Sequence, residues 1–309
     1  VKADPRALGV VLVGLLAVVP ASAQDLAAIK LADGVYGITG RHGDINTGVV
    51  VGDRGVFVYS CQLTDYDERM AAIRAVAAGK PIRYVANGHY AWDDSGCNHV
   101  LAERGAVVLG NPEFARLLRP YWPQRVAADL KAGRVKRPYL EGKRVEMALP
   151  SVVFDKQLTL DVGGHVVELH WVGKAHTPDN TIAWLPREKI LFTDDVLFAG
   201  LHPVSDDRSD IANWQRVLKM LASWGPSSVV PGHGTFQAGN GATPLLELDR
   251  YFETLRGKVR ALKQAGKSLD EVKRELPSQF TEFASWGPGG RLQPAEAIRN
   301  AAELIYREP

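Results

Sequence analysis

The chain has 309 residues, 46% of them hydrophobic, and its 37 basic and 35 acidic side chains leave a formal net charge of +2. That near balance, with no basic run interleaved with aromatics, argues against nucleic acid as a partner; the length suffices for one large or two small domains with a sizeable core. The only two cysteines, Cys61 and Cys97, leave two readings open, a single disulfide or two buried thiols.

Lys2 and Arg6 precede an apolar run from Ala7 to Val19, followed by Pro20 and the small residues Ala21-Ser22-Ala23. This is the pattern of a secretory signal, expected to occupy 1–23 with cleavage before Gln24 and to send the mature chain to the periplasm or beyond. The run is shorter than the ~18–20 apolar residues that span a bilayer, so no stable membrane span is expected after cleavage.

Val35–Thr39, Thr47–Val51 and Val56–Tyr59 are β-rich runs broken by glycine, as in an antiparallel meander. Met70, Ile73 and Val76 recur at helical spacing across Asp65–Ala78, which ends at Gly79. Pro81–Ala86 reads as a strand, Asn98–Glu103 as a helix and Ala106–Leu109 as a further strand. Residues 111–146 read as a helical, charge-rich insertion whose Arg116, Arg119, Arg125, Lys131 and Arg134 either form a solvated face or meet an anionic substrate.

Strands recur at Val152–Phe154, Leu158–Leu160, Val166–Val172, Thr181–Leu185 and Ile190–Thr193, the last two joined by a Pro186–Lys189 turn. Asp210–Ser223 is an amphipathic helix and Ser228–Val230 a strand; Pro244–Ala265, Ser268–Leu276 and Pro294–Tyr306 are further helices, with Ser268 and Glu271 forming a capping-box pair. The alternation implies a mixed α/β architecture with sheets covered by helices.

Four loops concentrate the residues that ligate metals. They are His89-Tyr90-Ala91-Trp92-Asp93-Asp94, His176-Thr177-Pro178-Asp179-Asn180, Thr193-Asp194-Asp195 and Pro231-Gly232-His233-Gly234. In this order and spacing they resemble the metallo-β-lactamase-fold hydrolases, over roughly residues 33–240. Those proteins carry His-x-His-x-Asp-His in the first loop; here Ala91 stands for the second histidine and Asp94 for the third. The C-terminal helices resemble those of exported hydrolases of the same superfamily, including the zinc hydrolases found beside quinoprotein dehydrogenases.

The resemblance implies a four-layer αββα sandwich over 24–243, a C-terminal helical extension over 244–309 packed on the same domain, and a metal-dependent hydrolase of an ester, thioester, lactone or amide, β-lactams included. His89, His176 and Asp195 would hold one divalent ion, and Asp93, Asp94, Asp195 and His233 a second. Zinc is the first expectation; the carboxylates at the second site also suit iron, manganese or magnesium. Because Ala91 removes a nitrogen from the first site, the carboxylate-rich one is expected to fill first, giving one tight ion per chain. Asp93 would also orient the attacking water and take its proton.

Other readings of the same residues stay open. His176 and His233 are also ordinary loop histidines, Asp93-Asp94 is also a helix N-terminal pair, and Asp194 is read as a partner of backbone amides. Tyr90 and Trp92 form either an apolar substrate wall or part of the core, and the loop positions of His202 and His42 put both near the expected cleft, whereas His99, His165 and His170 read as packed or exposed. At Ser60-Cys61-Gln62 relatives carry Asp-Thr-Gly, so the carboxylate that supports their ligands is missing, with Asp44 one candidate to replace it. Cys61 and Cys97 would approach bonding distance in this fold. The rival class is a non-catalytic descendant that binds a ligand or metal. The sequence does not determine oligomeric state.

Overall fold

The computed structural model describes residues 26–41, 44–133, 147–290 and 292–308. The predicted signal segment 1–23, His42 and Arg134 lie outside these residues, as does the rest of 134–146.

The first sheet has seven strands whose spatial order follows the chain: β1 (Ala28–Ala32), β2 (Val35–Ile38), β3 (Thr47–Gly52), β4 (Gly55–Tyr59), β5 (Ile82–Ala86), β6 (Val107–Gly110) and β7 (Val152–Val153). The first four are antiparallel hairpins; β4 through β7 run parallel. Parallel neighbours need crossovers, and α1 (Tyr66–Val76), the short α2 (Trp92–Ser95) with α3 (Asn98–Glu103), and α4 (Pro112–Ala132) supply them. The opening strand β1 was not anticipated, because its AIKLA sequence is half exposed and lacks a clean alternation.

The second sheet runs β13–β11–β10–β9–β8, with β8 (Gln157–Asp161), β9 (Val166–Trp171), β10 (Thr181–Leu185), β11 (Ile190–Ala199) and β13 (Ser228–Gly234). Two of these strands outrun the sequence reading. β11 continues past Thr193 and β13 through the Pro231–Gly234 segment, because the two pair in parallel from Ile190↔Ser228 to Ala199↔Gly234. Between them the chain forms β12 (Leu201–His202) and α5 (Ile211–Ser223), and after them α6 (Thr243–Gln264), α7 (Leu269–Gln279), β14 (Gly287–Pro288) and α8 (Pro294–Arg307).

Apolar side chains sort into three layers of contact. Val50, Phe57, Leu169, Leu185 and Phe192 fill the space between the two sheets. Met70, Ile73, Leu101, Phe114 and Trp122 pack α1, α3 and α4 on the outside of the first sheet. Trp214, Leu218, Phe252, Leu276 and Ile298 pack α5 to α8 on the outside of the second. The result is the expected αββα sandwich, with the C-terminal helices sharing a core with β11 and α5. Among the described residues no helix is long and apolar enough to cross a membrane.

Local chemistry sets the helix ends. Asn111 caps α4 by accepting the Phe114 N–H, and Gly133, at φ +62°, ends that helix in the left-handed region open to glycine. Ser268 and Glu271 form the predicted capping box of α7.

Candidate metal centre

Three of the four histidine- and aspartate-bearing segments lie at or beyond strand ends, and the fourth lies within β11. His89 follows β5, His176 lies between β9 and β10, Asp195 is in β11 and His233 in β13. Backbone ties fix the segments to one another. The Thr181 N–H donates to the Gly88 carbonyl and the Asn46 N–H to the Gly232 carbonyl. The Asn46 amide also donates to the Pro231 and Gly234 carbonyls. Asn87 donates to the Asp94 carbonyl and accepts from Asn98, which pins the turn carrying Asp93. The Asn180 side chain accepts the Thr177 N–H and closes the His176 turn. Sequence reading missed Asn46 and Asn87, whose roles depend on contacts made after folding.

Asp195 is the hinge of the arrangement. Its Oδ2 lies 3.4 Å from His176 Nε2 and 3.9 Å from His89 Nε2. Its other oxygen, Oδ1, lies 3.1 Å from His233 Nε2, and that same nitrogen lies 3.6 Å from Asp93 Oδ2. Donor atoms of His89, His176 and Asp195 fall within 4.8 Å of one another, as do those of Asp93, Asp195 and His233. Two ligand sets thus share one carboxylate, with the first set buried and the Asp93 side chain 39% exposed at the opening. His176 Nδ1 lies 3.0 Å from the Val204 carbonyl, a contact that directs its Nε2 toward Asp195.

This donor set fits a divalent cation. Asp195 Oδ1 lies 3.1 Å from His233 Nε2 and its Oδ2 3.4 Å from His176 Nε2, so imidazole nitrogens converge on both oxygens of one buried carboxylate. Carboxylate oxygens of Asp94, Asp194 and Asp195 also gather within 4.8 Å, all buried. Such a cluster is costly without a compensating cation.

The electrostatics carry the same imprint. Burial alone would depress His89 and His233, yet both are raised well above the usual histidine range, His89 by the facing Asp94 and Asp194 and His233 by Asp195 and Asp93. Burial holds His176 low. Burial, reinforced by the charge of Asp194, pushes Asp94 well up; Asp194, although buried, is pulled down by His89. Asp93 is also lowered, its burial outweighed by His233. Burial raises Asp179 to about 6.

Several predicted residues take other places. Asp94 is absent from the set of Asp93, Asp195 and His233 and gathers instead with His89 and Asp93: its Oδ2 lies 2.9 Å from His89 Nδ1, the ring nitrogen that does not face Asp195. Neither Asp93 nor Asp94 is the N-cap of α2; that position is Ala91, and both acids fall in the first turn. Asp194 keeps a backbone partner in Asp195 but also bonds side chains, with Oδ2 at 2.8 Å from His89 Nδ1 and Oδ1 accepting from the Ser60 hydroxyl at 3.3 Å. Asp44 faces solvent. Trp92 is core, tilted against Trp122 at 5.0 Å between centroids, with the Arg125 guanidinium over its face.

His202 is buried away from the cluster, its Nδ1 3.0 Å from the Tyr251 hydroxyl and its ring against Trp286. Tyr90 stays beside the site, edge-on to His89 and Tyr121, and its hydroxyl meets the Arg208 guanidinium. Arg208 also pairs with Asp206, so its charge is already answered. Of the insertion's basic residues, Arg116 pairs with Glu113, Arg125 with Asp129, and Arg119 and Lys131 are exposed. Cys61 and Cys97 form a disulfide with Cα atoms 5.5 Å apart, joining the end of β4 to the turn after Asp94.

Comparison with known proteins agrees with this geometry. A sequence profile described as the metallo-beta-lactamase superfamily matches residues 40–233. A metallo-beta-lactamase type 2 of Bacteroides fragilis is 32% identical over 111 residues, 34% of this chain, and the match spans 42% of that protein's length. Among solved structures, a metallo-beta-lactamase from Pontibacter korlensis superposes with a TM-score of 0.56 at 20% identity, covering 73% of this chain and 99% of its own. The stereoselective inverting sec-alkylsulfatase of a Pseudomonas species superposes at 0.61 with 15% identity, over 91% of this chain and 50% of its own. At these identities the structural matches speak for the fold.

Proposed function

The chain belongs to the metallo-β-lactamase superfamily, and on that premise we propose that it is a metal-dependent hydrolase of an ester, thioester, lactone or amide, acting on a small molecule. The observation that carries this reading is the divided carboxylate of Asp195, whose two oxygens each face a separate histidine-bearing set. A fold alone does not choose the bond to be cleaved, and the structural neighbours include proteins named for lactam and for alkyl sulfate hydrolysis.

His89, His176 and Asp195 would hold one cation, and Asp93, Asp195 and His233 the other, zinc being the first candidate for a mixed nitrogen and oxygen donor set. When bound, the cations supply Lewis acidity, which makes water a nucleophile near neutral pH and polarises the scissile carbonyl. The protein's own residues do the rest. Asp93, partly exposed at the opening, aligns the attacking water and accepts its proton. Tyr90 and Tyr121 form an aromatic edge beside His89 against which an apolar part of the substrate packs.

Ala91 leaves the first set one nitrogen short, and that favours a second reading in which the chain binds metal without turnover. One experiment separates the two. Metal content of the protein is measured as isolated, then hydrolysis of a panel of small esters, thioesters, lactones and lactams is followed with and without a chelator. Turnover abolished by chelation and restored by zinc supports the hydrolase; bound metal with no turnover on any substrate supports the binding protein.

A further inference from the structure

Three features converge on one carboxylate that sequence comparison assigned no such part. First, Asp194 adopts φ +54°, in the left-handed region where glycine sits without strain, and the β11–β13 register is irregular on both sides of it. Successive residues of a regular strand point to opposite faces. This break lets Asp194 and Asp195 both address the ligand cluster. Second, a Cβ placed on Gly88 would lie 1.9 Å from the Asp194 Cβ, so the residue before His89 has no side chain and leaves room for the carboxylate. Third, both Asp194 oxygens are engaged. Oδ2 is 2.8 Å from His89 Nδ1, and Oδ1 accepts from the Ser60 hydroxyl, which itself accepts the Gly88 N–H.

We propose that Asp194 is the positioning residue for His89: it accepts a hydrogen bond from Nδ1–H of the ring and aims Nε2 at the first cation, standing in for a supporting carboxylate that Ser60 lacks. A ligating histidine needs such a partner, because the bond made by one nitrogen fixes the tautomer and orientation with which the other meets the metal. Asp94, 2.9 Å from the same Nδ1, belongs to this support and not to the ligands. A backbone conformation easiest for glycine is thus held by an aspartate whose side chain reaches the histidine.

The inference rests on the metal-centre reading above, and its test keeps the two apart. Full-length mature protein is stripped with a chelator and titrated with Co(II), whose visible absorption reports ligand number, in the parent, Asp194→Gly and Asp194→Asn forms. Glycine suits the backbone and removes the carboxylate. Asp194→Gly is therefore expected to keep or raise the metal-free melting temperature while weakening the first Co(II) by about 10–100-fold. Asparagine keeps an oxygen that accepts from Nδ1–H, so Asp194→Asn is expected to recover part of that loss. In the Co(II)-loaded parent, the shifted exchangeable Nδ1–H resonance of His89 is expected, and it disappears in Asp194→Gly. Parent affinity in Asp194→Gly, or a loss in Asp194→Asn as large as in Asp194→Gly, would overturn the assignment. A parent protein that binds no Co(II) would instead overturn the metal centre itself.

Discussion

The Asp94 carboxylate lies 2.9 Å from Nδ1 of His89, on the ring nitrogen opposite the one directed at Asp195. From this relationship the inner set is expected to fill first. Without Asp94 the outer set is reduced to Asp93, Asp195 and His233 and opens to solvent through Asp93. The inner set of His89, His176 and Asp195 is buried, and the Nδ1 of each of its histidines has a partner. His89→Ala should remove the tightest zinc, whereas Asp93→Asn should weaken only a second binding event, and Ala91→His should tighten the first. Calorimetric titration of the chelator-treated protein reads this directly; a tight site that survives His89→Ala would mean that the outer set fills first.

Where the side chains of Asp93 and Asp94 point is a matter of helix geometry. The pair falls in the first turn of α2, where successive side chains diverge by about 100°; Asp93 turns to His233 and Asp94 to Nδ1 of His89, and spacing alone does not say which acid takes which direction. The five remaining ligand candidates were legible because they sit in four short loop or strand segments, in a fixed order along the chain. Asp194 was not, since its reach depends on a left-handed φ and on the missing side chain at Gly88. His202 was misread for a different reason. The strand that carries it pairs with Gly287–Pro288, some 85 residues on, and nothing local announces that contact. The sandwich itself was readable because its strands and helices follow their periods closely, down to the Ser268–Glu271 cap.

Metal-free stability should fall as pH rises above neutrality. His89 and His233 have folded-state proton affinities raised well above the usual value, so the folded protein keeps protons that the unfolded chain releases near pH 6.5. Their contribution is complete below about pH 6.5 and is lost as pH climbs through their folded values. Asp94 and Asp179 act with the same sign from about pH 4 upward, and Asp179 has finished by about 6. His176, which is lowered, opposes them only below about pH 6.5. Melting temperatures measured in chelator from about pH 6.5 to 9 should therefore decline, while zinc affinity rises over the same range as the ion displaces those protons. A flat or rising metal-free profile would contradict these shifts.

The disulfide should contribute to stability with or without metal. Cys61 and Cys97 close a segment with a sequence separation of 36, which contains the whole His89–Asp94 loop. In the chain-entropy account a loop of that size contributes about 4 kcal/mol by restricting the unfolded chain. The Cys61→Ala/Cys97→Ala double variant should lose roughly that much in urea unfolding with chelator present, and the same amount with saturating zinc where the two forms bind the ion equally, because binding then adds an equal increment to both. A loss below about 1 kcal/mol would show that native strain or residual structure cancels the entropic gain.

His202 offers the cleanest separation of stability from the metal site. Its Nδ1 lies 3.0 Å from the hydroxyl of the buried Tyr251, and its ring packs edge-on to Tyr251 and Trp286. The β12–β14 pairing carries that contact into the C-terminal helical layer. His202→Ala removes the partner of a buried hydroxyl and opens a gap between aromatic rings. Together these should cost about 1–3 kcal/mol, with the C-terminal layer the first to loosen in hydrogen exchange. His202 belongs to none of the candidate ligand sets, so zinc affinity should stay within about twofold of the parent, a change under about 0.5 kcal/mol. If His202→Ala instead weakens metal binding tenfold while stability is unchanged, the residue serves the cleft after all, and its burial against Tyr251 is not its principal role.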